Sequence, residues 1–238
     1  MKVNENTAIS TPGVLLVPYD RRHVPTYHDW MEDEAVRAAT ASDRLTLEEE
    51  FENQASWRAA ADKLTFILCQ PATGREGSIV AGVDDAPDRM VGDINFFLTP
   101  FEADEDEDDE SGKIQEDEAG SALFSGEVDV MIARPEHRRQ GFGRSAVTAF
   151  LHYILQSKRD AILAEAADAT TPAPRLKQLV VKIQASNLAS ISLFTSLGFE
   201  QKGGVNYFGE VELVRKHLTA DAPPCYTEKA YQRRDSRH

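Results

Sequence analysis

The stretch Glu127-Val-Asp-Val-Met-Ile-Ala-Arg-Pro-Glu-His-Arg-Arg-Gln-Gly-Phe-Gly-Arg-Ser-Ala-Val-Thr-Ala-Phe-Leu-His-Tyr-Ile-Leu-Gln-Ser157 sets the reading of the whole chain. Three signals lie end to end in it. Val128, Val130 and Ile132 alternate with Glu127, Asp129 and Met131, the two-residue period of a strand with unlike faces. A turn rich in Pro, Arg and Gly follows. Ala146, Val147, Phe150, Leu151, Ile154 and Leu155 then fall at helical spacing as one apolar stripe.

The turn itself, Arg138-Arg139-Gln140-Gly141-Phe142-Gly143-Arg144, points to chemistry. Its two glycines let the backbone bend with no Cβ in the way of a ligand. The free N–H groups of the helix that follows, aided by the helix dipole, favour a phosphate or pyrophosphate. A nucleoside-triphosphate loop would need Gly-Lys-Ser/Thr after four spacer residues, and that is absent. A dinucleotide fingerprint is met by Gly141, Gly143 and Ala146, but the acid it needs at the end of a second strand is missing, since Glu165 and Asp168 sit in an Ala-rich stretch. The plain alternative is a tight strand-to-helix connection carrying surface arginines.

A second motif lies downstream. Residues 178–184 (Gln-Leu-Val-Val-Lys-Ile-Gln) read as a strand, and Asn187-Leu-Ala-Ser-Ile-Ser-Leu-Phe-Thr-Ser-Leu-Gly-Phe199 reads as a capped helix. Asn187 is a good N-cap, Ile191 and Phe194 share a face, and Gly198 stops the helix before the next strand.

The 238 residues suit one domain with appendages. The formal charge is −14, yet residues 102–118 hold 11 acids and one lysine, leaving an ordinary surface elsewhere. That balance argues against nucleic acid as a partner. The two cysteines, Cys69 and Cys225, suggest neither a disulfide framework nor a metal site, and the six histidines lack ligand spacing. The N-terminus has no signal-like apolar core, and no run is long enough to span a membrane, so a cytoplasmic protein is expected.

Along the chain, strands are expected at residues 14–18, 62–69, 90–98 and 205–216, with helices around Tyr27, Trp30 and Met31 and over 46–61. Residues 71–87 read as a hairpin loop. In the third strand, Gly92, Ile94 and Phe96 take one face and Asp93, Asn95 and Phe97 the other. The acidic stretch 102–121 cannot bury apolar area and reads as a disordered insert. Residues 158–175 form an Ala- and Pro-rich insert that lengthens the spacing between the two motifs, and 219–238 read as a flexible tail.

Arg138-x-x-Gly141-x-Gly143 between strand and helix, followed by Asn187-x-x-Ser190-x-x-Leu193-Phe194-x-x-x-Gly198-Phe199, resembles the GNAT N-acetyltransferase superfamily over residues 15–216. Within it the chain is similar to the N-acetyltransferase 9 family, through Met-Lys-Val-Asn-Glu-Asn-Thr at the start, Tyr-His-Asp-Trp-Met, Val-Gly-Asp-Ile-Asn-Phe-Phe-Leu-Thr and Glu-Val-Asp-Val-Met-Ile-Ala. The resemblance implies an α/β (α+β) fold in one domain over 1–218: a twisted, mostly antiparallel mixed sheet, flanked by helices, whose fourth and fifth strands splay apart around acetyl-CoA. It implies that Arg138, Arg139, Gln140, Gly141, Phe142, Gly143 and Arg144 hold the pyrophosphate. The backbone of Met131, Ile132 and Ala133 would pair with the pantetheine arm, Asn187 would bond it, and Phe194 would pack beside the thiol. The expected reaction is direct attack of a primary amine, on a protein or peptide, upon the thioester, with no metal.

Such an attack needs a base working near pH 7. In a well-known member of the superfamily a Glu in the fifth strand and a Tyr in the next helix do the proton work; the matching positions here are Lys182 and Phe194. The base is therefore expected elsewhere, with Glu127 first and Asp129 second, and Tyr207 as a candidate acid. The same departure opens a different class of function: a GNAT-fold binding or regulatory protein that keeps CoA and has weak or no catalysis. Trp30 and Trp57 read either as core or as the acceptor wall.

Overall fold

The computed structural model describes residues 1–72, 74, 76–101, 120–167 and 172–233. Its spine is a mixed sheet. In chain order the elements are β1 (Thr7–Ser10), β2 (Leu15–Pro18), α1 (Val24–Met31), α2 (Glu34–Thr40), α3 (Leu47–Ala59), β3 (Lys63–Cys69), β4 (Ile79–Val80), β5 (Met90–Pro100), β6 (Leu123–Ile132) and α4 (Phe142–His152). There follow α5 (Arg159–Ala166), β7 (Arg175–Gln184), α6 (Leu188–Ser196), β8 (Glu200–Lys202), β9 (Glu210–Arg215) and β10 (Thr227–Gln232). The strand order is β4-β10-β1-β2-β3-β5-β6-β7-β9-β8.

Alternation along the central strands gives the sheet two unlike faces. Leu64, Phe66 and Leu68 with Ile94, Phe96 and Val128 meet Val147 and Phe150 of α4 in one core. Ile67, Cys69 and Met131 on the other face meet Tyr27, Trp30 and Met31 of α1. On that second face β5 also presents Asp93, Asn95 and Phe97, as the alternation in the sequence predicts. The α3 helix opens with a capping box: Thr46 Oγ1 accepts from Glu49 N, while the Glu49 carboxylate accepts from Thr46 N.

All neighbours in the sheet are antiparallel except β6·β7 and β4·β10. The β6·β7 pairing runs only from Leu123↔Arg175 to Glu127↔Val180. Beyond Glu127 the strands part: β6 stays on β5 through Ile132, and β7 stays on β9 through Gln184. These are the expected fourth and fifth strands, and they splay as the resemblance implied.

Several elements differ from the sequence reading. Of the expected flexible tail 219–238, residues 227–232 form β10 inside the sheet, antiparallel to β1 and parallel to β4, and residues 234–238 fall outside the described ones. The polar composition hides this strand, because its anchors are single residues. Tyr231 donates to Asp85 Oδ2 at 2.5 Å, His23 Nε2 meets the same oxygen at 2.9 Å, and Arg233 grips both Asp20 oxygens at 2.8 and 2.9 Å. The expected loop 71–87 contributes β4, and an extra strand, β1, precedes the first one expected. The insert 158–175 begins with α5, whose Ile162 and Leu163 are buried, after a π-helical turn over Tyr153–Ser157. The expected strand 205–216 shortens to β9 because Asn206 folds the preceding segment into a turn, its Oδ1 accepting from Phe208 N and Glu210 N at 2.9 Å each. The acidic insert read over 102–121 lies outside the described residues except for Gly120 and Ser121.

Candidate active site

The parting of β6 and β7 opens a cleft of about 230 Å³ on the α1–α3 face. Its floor is Asp93, Asn95 and Phe97 of β5 with residues 127–131 of β6; residues 181–184 of β7 and Asn187, Ser190 and Phe194 of α6 form one wall. Tyr27, Trp57 and the turn 39–42 form the other, and Glu210 closes the rim. Of the two tryptophans, Trp57 therefore faces the cleft, edge-on to Phe97 at 5.6 Å, while Trp30 is core.

The acidic residues differ in state. Glu127 accepts a hydrogen bond from Lys182 Nζ at 2.7 Å, an ion pair that bridges the two strands where they begin to part. That pair engages Oε2 of Glu127, the residue expected first as base. Asp129 is pushed up to about 7 by burial, then by the charges of Glu127 and Asp93, with Lys182 opposing. Asp93 is pushed up to about 6 by burial, against the donors Asn95 Nδ2 at 2.9 Å and Tyr27 OH at 3.4 Å. A carboxyl balanced near neutrality at the strand fork is the property a general base needs. Tyr207 does not reach the cleft; its ring is 96% exposed and packs edge-on against Phe208, because the Asn206 turn directs the segment outward.

The glycine turn has the geometry of an anion site. Gly141 is the N-cap of α4 at φ 91, and a Cβ there would meet no atom within 4 Å. The first intrahelical bond runs from Ser145 N to Gly141 O, which leaves the amides of Phe142, Gly143 and Arg144 without helical partners. The side chains divide differently from expectation. Arg138 turns back, donating from Nε to Ile132 O and from Nη2 to Ala133 O at 3.1 Å each, so it braces the end of β6. Arg144 donates to Ser196 Oγ at 2.7 Å, tying α4 to α6, and Gln140 bonds Glu136 O. Arg139 is exposed, with its backbone in the left-handed region at φ 64.

The backbone of β6 is also sorted by this register. Ala133 N donates to Val91 O at 3.0 Å, so Met131 and Ala133 turn their amides toward β5. Of the three residues expected to pair with a pantetheine arm, Ile132 alone directs its amide into the fork, and Val130 joins it. Alternation in a strand fixes side-chain faces but leaves open which backbone edge is free, so the sequence could not separate them. Asn187 Oδ1 caps α6 through Ser190 N at 3.1 Å, and Phe194 packs edge-on to Phe199 at the cleft's inner wall.

The Acetyltransferase (GNAT) domain family matches residues 14–200. The chain belongs to the GNAT acetyltransferase family. Its curated GNAT relatives include the alpha/beta-tubulin-N-acetyltransferase 9 of Drosophila melanogaster, 40% identical over 216 residues that cover 90% of this chain and 89% of the relative. The N-acetyltransferase 9-like protein of Schizosaccharomyces pombe is 36% identical, covering 90% and 97%. Among solved structures, the spermidine N-acetyltransferase of Vibrio cholerae in complex with CoA and spermine superposes with a TM-score of 0.54 at 12% identity, covering 86% of this chain and 94% of that one. The GNAT fold is thus shared well beyond sequence similarity, and the chain is an N-acetyltransferase by family.

Proposed function

We propose that this GNAT enzyme moves an acetyl group from acetyl-CoA to a primary amine on a protein, with Asp129 as the base. The carrying observation is the Asp129 carboxyl, balanced at about 7 at the point where β6 and β7 part. Acetyl-CoA supplies an activated acyl group with a thiol leaving group. The chain's residues fit it: the free amides at 142–144 and the open side of Gly141 suit a pyrophosphate, and the amides of Val130 and Ile132, which face the fork, suit an extended amide arm. Asn187 and Phe194 flank the path of that arm.

Asp93, Glu127, Asp129 and Glu210 make the acceptor side of the cleft acidic, which attracts a cationic amine. Asp129 then takes the proton that the amine must lose to become a nucleophile. Relatives named for tubulin make purified tubulin the first acceptor to try. The free thiols Cys69 and Cys225 support a cytoplasmic setting.

The test is transfer from acetyl-CoA to purified tubulin, mapped by mass spectrometry, with calorimetry of acetyl-CoA binding alongside. The expected result is transfer by the wild type and a loss of at least about 100-fold in kcat in Asp129→Asn, with acetyl-CoA affinity kept. Full activity in Asp129→Asn would refute the assignment of the base. Tight acetyl-CoA binding with no transfer to any protein amine would favour a binding protein instead.

A further inference from the structure

Cross-strand pairing sets Thr65 of β3, Asn95 of β5 and Asp129 of β6 side by side on the cleft face. Direct partners of this kind have Cβ atoms about 5 Å apart. Asn95 is 6% exposed and its amide orientation is fixed, because Nδ2 donates to Asp93 Oδ2 at 2.9 Å. Its Oδ1 therefore points away from Asp93. That oxygen is fully buried and meets no donor among the described residues. A buried acceptor left in this state is uncommon and calls for a partner.

The neighbours that could supply a hydrogen are few. Lys182 is bonded to Glu127, and the Tyr27 hydroxyl is directed to Asp93. Thr65 Oγ1 is itself buried without a partner, so no hydrogen bond joins it to Asn95. As a carboxylate, Asp129 has nothing to donate; with a proton on it, it has one O–H. We infer that Asn95 is a positioning residue whose Oδ1 receives the Asp129 O–H once Asp129 has taken a proton from the acceptor amine. An N–H bond of the amine breaks and an O–H bond on Asp129 forms. The nitrogen keeps the electron pair with which it attacks, and the proton later leaves to solvent.

The charges around Asp129 do not orient that proton. Glu127 on its own strand, Asp93 on β5 and Glu210 on β9 all favour the neutral acid, Lys182 on β7 opposes them, and Tyr27 on α1 reaches only Asp93. Asn95 adds direction: it stabilises the neutral acid in one geometry and so raises the proton affinity of Asp129. The catalytic meaning of this bond rests on Asp129 being the base, but the bond itself is tested without any acceptor.

The experiment is a titration of the full chain with its aspartates labelled at the side-chain carboxyl carbon, followed by NMR, with the Asp129 signal identified by its loss in Asp129→Asn. Asn95→Leu, which preserves bulk, and Asn95→Ala should each lower the Asp129 midpoint by about one pH unit, a tenfold rise in its acid dissociation constant. Thr65→Val should leave it in place. Both Asn95 variants also remove a donor from Asp93, so Tyr27→Phe serves as control, since it removes the other Asp93 donor and leaves Asn95 intact. A midpoint unchanged or raised in the Asn95 variants overturns the inference. So does an equal fall in Tyr27→Phe, which would route the effect through Asp93, or a fall in Thr65→Val. Where transfer is measurable, the acidic limb of kcat/KM should move with the midpoint; an enzyme lacking transfer but showing the shift would refute the proposed function and leave this bond standing.

Discussion

Replacing Asp85 by Asn should destabilise the chain by about 2–3 kcal/mol, and the figure follows from the contacts. Burial alone would raise this carboxyl, yet His23, Tyr231 and the Gly82 amide outweigh it and bring it down from 3.8 to about 2. Such a fall is worth roughly 2.5 kcal/mol at neutral pH. The donors are well defined. His23 Nδ1 accepts from Asp20 N at 3.0 Å, which places the ring proton on Nε2, where it is donated to Asp85. An Asn in that position would turn an NH2 group toward one of these donors and leave it unpaired. Urea denaturation of the full chain at pH 7 reads the loss, and the thermal midpoint should drop by about 5–10 °C. The pH dependence has a definite sign. The folded value lies below the unfolded one, so the contribution is complete above the unfolded value and is lost as pH falls through about 2. The gap between wild type and variant should therefore be flat from about pH 5 to 8 and shrink below about 4. A gap under about 0.5 kcal/mol, or one that widens in acid, would refute the reasoning.

Lys182→Met removes a cation that holds Asp129 down, so the acidic limb of kcat/KM should move to higher pH; a shift to lower pH would contradict the arrangement at the strand fork. Gly143→Trp fills the approach to the amides of α4 and should weaken acetyl-CoA binding by at least about tenfold in calorimetry while leaving the urea midpoint unchanged, since the first contact of a side chain there is Leu193 at an ordinary 3.6 Å. Thr46→Ala, far from the cofactor loop, should cost about 1 kcal/mol in stability through loss of the α3 capping box, with acetyl-CoA affinity unchanged.

The parts of the fold legible in the sequence are those written as local pattern. Alternation in residues 127–132 and 90–98, the glycine turn at 141–143 and the Asn187 cap each encode their element within a few residues, and the family's spacing joins them. What stayed hidden depends on distant partners. Thr227–Gln232 has no apolar alternation of note, and its place in the sheet rests on Asp85 and Asp20, which lie more than a hundred residues away. The difference between Glu127 and Asp129 was equally out of reach. Both share a strand face, but only the meeting with Lys182 across the fork separates an ion-paired carboxylate from one balanced near neutrality. For Arg138 the motif gives the position and not the direction; its guanidinium turns to the β6 carbonyls because two free acceptors stand there.

The position of β10 between β1 and β4 has a consequence for how the molecule comes into being. β10 leaves the ribosome more than 200 residues after β1, with Thr7 paired to Ala230 and Ser10 to Thr227. Until β10 emerges the β1 edge has no neighbour on that side, and an open edge invites pairing with other chains. A nascent chain stalled before residue 227 would already contain the glycine turn and the acidic cleft residues, yet would expose a sticky border. Arrival of β10 closes that border, and chains that lack it should be less soluble than chains that carry it.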